Sequence, residues 1–141
     1  MESAKTSRIA KDPGIHFSHP GGAVIDPQPL AGTWMNTNNG TRGITRVEVS
    51  MKDGGVVVRA FGACDPSPCD WGESYAEVFA EDPDSNSGNA FNALYDFGFM
   101  ETRLQAHIRQ GLLVVAKFDR FKDDSGRANY FSKEFFFHAA E

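Results

Sequence analysis

Two cysteines and two histidines are the residues whose spacing most directly suggests a chemical role. Cys64 and Cys69 are separated by four residues in a proline-rich stretch, which suits a disulfide, half of a zinc site or two free thiols. His16 and His19 could complete a zinc site, but no predicted element fixes their imidazoles. We therefore expect no metal here. Because no secretion signal is visible, reduced thiols are the favoured state.

Acid–base chemistry would have to come from polar side chains scattered over the predicted strands. These are Glu73, Tyr75, Tyr95, Arg103, His107, Asp119, Tyr130 and Glu134. Pairs of such groups could transfer protons if they faced an apolar interior, where burial and neighbouring charges shift pKa values. The alternation of Leu104, Ala106 and Ile108 predicts that Arg103 and His107 point outwards. A register shift of one residue would reverse that orientation.

Recognisable catalytic and cofactor motifs are missing from the sequence. It has no glycine-rich phosphate loop, nucleophile elbow or His-Glu-x-x-His pattern. Residues 82–88 carry oxygen ligands at alternate positions, as a calcium loop does, but Ala93 stands where the bidentate Glu belongs. We therefore interpret this segment as a polar hairpin loop, and we expect no cofactor.

The elements that must position these residues are predicted to be strands. Val47, Val49 and Met51 alternate with polar residues, which is the two-residue period of a half-buried strand. Residues 52–55 and 123–126 carry the Asp, Gly and Ser that tight turns favour. Residues 100–110 fit a helix or a strand. We favour a strand because residues 109–111 resemble a tight turn and no helix cap precedes residue 100.

These signals predict an all-β fold, a single antiparallel up-and-down barrel of about eight strands over residues 30–141. Residues 1–29 contain four prolines and no hydrophobic period, so we expect an extended or disordered N-terminal arm. The net charge of −5 argues against nucleic acid as a partner. No apolar run is long enough to cross a membrane. With no visible signal peptide, the expected location is cytoplasmic.

Aromatic residues are the strongest compositional signal, because the chain contains 12 Phe. In the last predicted strand Phe135 and Phe137 share one face, while Tyr130 and Phe136 lie on the other. A barrel strand that is apolar on both faces needs cover on its outer side. The N-terminal arm or a second subunit could supply that cover, and we expect a homodimer.

The stretch Leu30-Ala31-Gly32-Thr33-Trp34 contains Gly-x-Trp at the start of the first predicted strand. This arrangement resembles the calycin superfamily, which includes the lipocalins and avidins. The resemblance implies an eight-stranded barrel whose Trp closes one end, often against an Arg of the last strand, a part that Arg127 could play. It also implies binding of a small, mostly apolar ligand at the barrel mouth.

Three functions remain open from the sequence. The leading hypothesis is binding of a small apolar or aromatic molecule inside the barrel. The alternatives are a calycin-like enzyme, such as an isomerase or cyclase, and a filled barrel that serves as an interaction module. The residues predicted to bind the ligand are Trp34, Trp71, Tyr75, Tyr95, Tyr130, Arg103 and His107.

Overall fold

A computed structural model describes residues 24–140 of the chain. The fold is all-β: eight antiparallel strands, each hydrogen-bonded to the next in sequence, form a barrel that closes where β1 pairs with β8. The strands are β1 (Gly32–Asn36), β2 (Ile44–Lys52), β3 (Gly55–Gly62), β4 (Cys69–Ala80), β5 (Gly88–Asp96), β6 (Met100–Arg109), β7 (Leu112–Phe121) and β8 (Tyr130–His138). The predicted up-and-down barrel is confirmed.

Tight turns set the register of the barrel. Asp53 and Gly54 both have positive φ, at 55° and 79°, and so do Gln110 and Gly111, at 54° and 80°. Two consecutive positive φ values are the mark of the two-residue hairpin turn whose twist matches that of antiparallel strands. Each turn fixes which residues of the two flanking strands face the interior.

The stretch that fitted both helix and strand is a strand. Met100–Arg109 pairs with β7 over its whole length and with β5 from Glu101 to His107. Thr102, Leu104 and Ala106 point inwards and are buried, whereas Arg103 and His107 are exposed on the outer face. The predicted outward orientation of Arg103 and His107 is therefore confirmed.

The interior of the barrel is mainly aliphatic and aromatic. Its core residues include Val47, Val56, Val58, Phe91, Leu104, Leu113 and Phe136. Burial of these side chains is the main favourable term in the stability of such a domain. No helix among residues 24–140 is long and apolar enough to span a membrane.

Part of the predicted N-terminal arm lies within the described residues. Asp26 exchanges backbone hydrogen bonds with the β4–β5 loop, accepting from Gly88 at 2.6 Å and donating to Asn86 at 2.7 Å. A 3₁₀ turn at Gln28–Leu30 then places Leu30, which is fully buried, in the core. His16 and His19 lie outside the described residues.

One end of the barrel is closed around Trp34. Its Nε1 donates a hydrogen bond to the carbonyl of Leu30 at 2.9 Å, and its ring stacks on His138 with a centroid separation of 4.2 Å. Gly32 has a φ of +119°, and a Cβ at this position would overlap the His138 ring. Both residues of the Gly-x-Trp motif therefore help to close this end: Trp34 stacks on His138, and Gly32 leaves room for the His138 ring.

The role suggested for Arg127 is wrong. Because β1 and β8 run antiparallel, the start of β1 meets the end of β8, so Trp34 faces His138. Arg127 precedes β8 at the opposite end of the barrel, where its guanidinium lies 4.2 Å from the centre of the Phe121 ring. The closed eight-stranded antiparallel barrel is compatible with a calycin-like fold, but Trp34 stacks on a histidine instead of an arginine.

Candidate functional site

The end of the barrel opposite Trp34 is framed by four loops and is called the mouth here. These loops are residues 37–43, 63–68, 97–99 and 122–129. Thr102, Asp119 and Tyr130 occupy one cross-strand row near this end, because β6, β7 and β8 pair them in register. Lys117 lies one inward position deeper on β7. These four residues are called the mouth cluster.

The centre of the mouth cluster is a buried ion pair. Asp119 is 2 % exposed and Lys117 is 8 % exposed. Asp119 Oδ2 accepts a hydrogen bond from Lys117 Nζ, and Oδ1 accepts one from the hydroxyl of Thr102 at 2.5 Å. Both carboxylate oxygens are therefore satisfied by side chains from inside the barrel.

Such a pair is poor evidence of a purely structural role. Removing two charges from water costs several kcal/mol per ion, and hydrophobic residues of similar volume are often as stabilising or more so. Lys117 and Asp119 share the interior with Leu104, Val115 and other aliphatic side chains. A charged pair retained in such surroundings is a candidate for function.

Tyr130 connects the buried pair to solvent. Its ring is 50 % exposed, and its hydroxyl accepts a hydrogen bond from Lys117 Nζ at 3.3 Å. An ammonium group has three protons to donate. Asp119 and Tyr130 take two of them, and the third has no acceptor within residues 24–140. The mouth cluster can therefore offer a further hydrogen bond to an oxygen placed beside Tyr130.

The barrel wall is incomplete next to the mouth cluster. β1 pairs with only the last part of β8, from Phe136 to His138, and a backbone hydrogen bond from Thr37 to Phe135 ends the contact. The first half of β8 therefore pairs only with β7 among the described residues. Thr41 covers this gap and donates from its hydroxyl to Glu134 at 2.6 Å.

The hydroxyl of Tyr95 forms hydrogen bonds with backbone groups of β3 and β4 on the opposite wall. Around Gly72 β4 has one residue more than β3, so Ala60 has no register partner on β4. The Tyr95 hydroxyl accepts a hydrogen bond from the Ala60 amide at 3.1 Å and lies 2.8 Å from the carbonyl of Gly72. Burial raises the pKa of Tyr95 to about 12. This hydroxyl therefore stabilises the fold, because its hydrogen bonds are made with the backbone.

The same bulge turns Trp71 towards the interior. Without it Trp71 would share a face with Glu73 and Tyr75, as strict alternation predicts. Instead Trp71 packs edge-to-face on Tyr95 and Phe97, with centroid separations of 5.5 Å and 5.4 Å. These three rings form the aromatic side of the mouth, on the wall away from β7 and β8.

Trp71 also requires a glycine beneath it. A Cβ on Gly62 would lie 2.8 Å from the indole Nε1, closer than real Cβ atoms approach. Gly62 pairs with Cys69 in the β3–β4 ladder. The position of the indole is therefore set by the backbone at the start of the β3–β4 loop.

The expectation of reduced thiols is wrong. Cys64 and Cys69 form a disulfide with a Cα–Cα separation of 5.5 Å, which is within the range that a disulfide spans without strain. The bridge closes the 63–68 loop beside Trp71. Within residues 24–140 no group of three or more His, Cys, Asp or Glu is arranged to hold a metal ion.

The structure places only some of the predicted ligand-binding residues at the mouth. Trp71, Tyr95 and Tyr130 lie there, and Trp34 belongs to the closed end. Tyr75, Arg103 and His107 do not lie at the mouth but on the outer wall. The parity of β4 and β6 is fixed by the inward residues Ser74, Ala76, Thr102 and Leu104. These three residues cannot contact a ligand inside the barrel.

Sequence reasoning missed Lys117 and Thr102. Asp119 was considered for proton transfer but was not among the predicted ligand-binding residues. Lys117 and Asp119 share one parity in β7 with Leu113 and Val115. The other parity, Leu112, Val114, Ala116 and Phe118, is entirely apolar, so alternation alone gives no signal that Lys117 and Asp119 face the interior.

Comparisons with protein-family models, with curated proteins and with solved structures find no match for this chain.

Proposed function

We propose that this protein binds a small neutral molecule with an apolar or aromatic body and an oxygen acceptor, held at the barrel mouth. The observation that carries the proposal is the buried Lys117–Asp119 pair, with its unused ammonium proton, beside the half-exposed Tyr130. A carbonyl or ether oxygen would accept hydrogen bonds from Lys117 and Tyr130. The apolar body would then lie towards Trp71 and Phe97.

The charge balance of the interior favours a neutral ligand. Asp119 neutralises Lys117, and Glu134 on β8 adds a second carboxylate two residues beyond Ser132, which is opposite Lys117. An anionic ligand would be repelled by both carboxylates, and a cation would compete with Lys117 for Asp119. A neutral hydrogen-bond acceptor disturbs neither interaction.

A solvatochromic naphthalene ketone, 6-propionyl-2-dimethylaminonaphthalene, provides a direct test. The probe is neutral, aromatic and ends in a carbonyl. We expect a one-to-one endpoint, a blue shift of probe emission and quenching of Trp71 emission. In the Trp71→Phe variant the remaining tryptophan, Trp34, lies at the closed end and should be quenched much less.

Substitutions in the mouth cluster test the hydrogen-bond part of the proposal. Tyr130→Phe removes one donor and should weaken probe binding by a factor of about 2 to 13, from about 0.5–1.5 kcal/mol for a neutral hydrogen bond. Tyr75→Phe makes the same chemical change on the outer wall and should leave binding unchanged. Binding that is absent in the parent protein, or equal in all three proteins, would contradict the proposal.

A calycin-like isomerase is the second candidate. It is favoured by the same cluster, because Tyr130 and Lys117 could polarise a carbonyl while Glu134, also on an inward position, accepts a proton from the adjacent carbon. The ketone probe has exchangeable hydrogens next to its carbonyl. Deuterium uptake from heavy water that depends on Tyr130 and Glu134 would favour the enzyme over the binding protein.

A further inference from the structure

A groove of about 270 Å³ lies on the outer wall of the barrel, separate from the mouth. Its lining residues are Leu94, Glu101, Arg103, Gln105, Phe118 and Arg120. Leu94, Arg103 and Phe118 form one cross-strand row over β5, β6 and β7. The groove is therefore built from strand residues whose spacing the barrel fixes.

Two arginines in this groove have no partner within residues 24–140. Neither Arg103 nor Arg120 makes an ion pair or hydrogen bond there. By contrast, Arg59 on the outer wall lies 2.7 Å from Asp70, and Arg127 in the β7–β8 loop lies 3.2 Å from Asp123. The groove thus holds unneutralised positive charge on a chain whose net charge is −5.

The register brings the two arginines together. Arg103 is opposite Phe118 and Glu101 is opposite Arg120 on the neighbouring strand. The two arginines are therefore diagonal neighbours, with Cβ atoms about 7 Å apart. Glu101 is the single carboxylate of the lining, and Lys122 Nζ lies 3.8 Å from it. An anionic group between the guanidinium groups would meet a partly neutralised Glu101.

Phe118 supplies an apolar surface beside this charge. It is 42 % exposed and packs against Phe131, with ring centroids 5.1 Å apart. A planar ring laid on Phe118 would gain stacking and burial. Guanidinium groups favour planar oxyanions because they can donate two parallel hydrogen bonds.

We propose that this groove binds small aromatic anions, with the anionic group between Arg103 and Arg120 and the ring against Phe118. The ligand class differs from the neutral acceptor proposed for the mouth because the two sites differ in charge. Binding in the groove would be independent of binding at the mouth.

The probe for this site is 1-anilinonaphthalene-8-sulfonate, titrated into the full chain and followed by its own fluorescence. We expect Arg103→Gln and Arg120→Gln each to weaken binding at least fivefold, and Phe118→Ala to lower the emission yield of bound probe. Glu101→Gln removes the only carboxylate of the lining and should strengthen binding. Amide chemical shifts should move on β6 and β7 rather than at the mouth.

Arg109→Gln is the matched control. Arg109 lies on the same strand and the same outer face, has no partner among the described residues, and is outside the groove. This change should leave sulfonate binding within twofold of the parent. Equal losses for Arg103→Gln, Arg120→Gln and Arg109→Gln would mean a general charge effect and would overturn the proposal. Undiminished binding in both groove variants, or a loss in Tyr130→Phe, would overturn it as well.

Discussion

Replacing Tyr95 by Phe removes one oxygen atom from the wall that joins β3 and β4. The ring, its packing on Trp71 and its stacking on Phe97 all remain possible. The amide of Ala60, which has no register partner on β4, loses the hydroxyl acceptor that Tyr95 gives it at 3.1 Å. The carbonyl of Gly72 loses its hydrogen-bond donor at 2.8 Å.

The expected cost follows from the unsatisfied groups. A buried donor left without a partner costs about 1–3 kcal/mol, more than the roughly 1 kcal/mol of an average hydrogen bond. We therefore expect Tyr95→Phe to lower the free energy of unfolding by about 2 kcal/mol. For a domain of 141 residues this corresponds to a fall in Tm of about 7 °C.

The pH dependence tests a second property of the same hydroxyl, its burial, which opposes ionisation in the folded protein. The pKa of Tyr95 is raised to about 12 in the folded protein, against 10.0 ordinarily. Between pH 10 and 12 the unfolded chain loses the proton while the folded chain keeps it, so stability falls as the pH rises. A shift of two units corresponds to about 3 kcal/mol. This contribution is complete below pH 10 and is lost by pH 12.

Urea unfolding of the parent and Tyr95→Phe at pH 7 and at several values from pH 9 to 12 would measure both effects. The difference between the two proteins should be about 2 kcal/mol at pH 7 and should shrink above pH 10. Tyr75→Phe is the control, because water can replace a hydrogen bond lost on the outer wall. A difference below about 0.5 kcal/mol, or one that stays constant to pH 12, would refute the assignment.

Three further outcomes are expected. Lys117→Met should cost about 3–5 kcal/mol in urea unfolding because it leaves Asp119 buried without its cation, and a second change of Asp119 to Leu should restore most of that loss. Reduction of the Cys64–Cys69 disulfide, which closes a short loop, should lower the free energy of unfolding by about 2 kcal/mol. Calorimetry should show a corresponding fall in Tm. Light scattering should give the mass of a dimer of the 15.5 kDa chain. Phe135→Ser should give a monomer, because Phe135 is 44 % exposed on the outer wall. An unchanged mass in this variant would refute a role of Phe135 in the dimer interface.

The barrel was predictable because local patterns agree with one another along most of the chain. Alternation in β2 and the turns at Gly54 and Gly111 fix strand parity without knowledge of the neighbouring strands. The assignment of Met100–Arg109 as a strand depended on the turn at Gly111 rather than on propensity. Tertiary pairing on both sides then overrides the helix-forming residues in that segment.

The mouth was less predictable because its geometry depends on an irregularity. One extra residue near Gly72 reverses the orientation of Trp71 relative to Tyr75, and an alternation pattern cannot show this. The partner of Trp34 was missed because Arg127 precedes the last strand and His138 ends it, so each lies at one end of β8. Only the antiparallel closure with β1 decides between them. Disulfide formation depends on the conformation of a loop that has no periodic signal.

The seam between β1 and β8 has a consequence for how the chain folds. It joins Asn36 to Phe136, about 100 residues apart, through only three register pairs. Closing a loop of that length costs about 4 kcal/mol in chain entropy by the logarithmic term alone, whereas each hairpin closes over a few residues. The seam should therefore form last during folding. Since the start of β1 lies beside the end of β8, a circularly permuted chain that is opened at Gly54 and links these two strand ends should refold faster than the natural one.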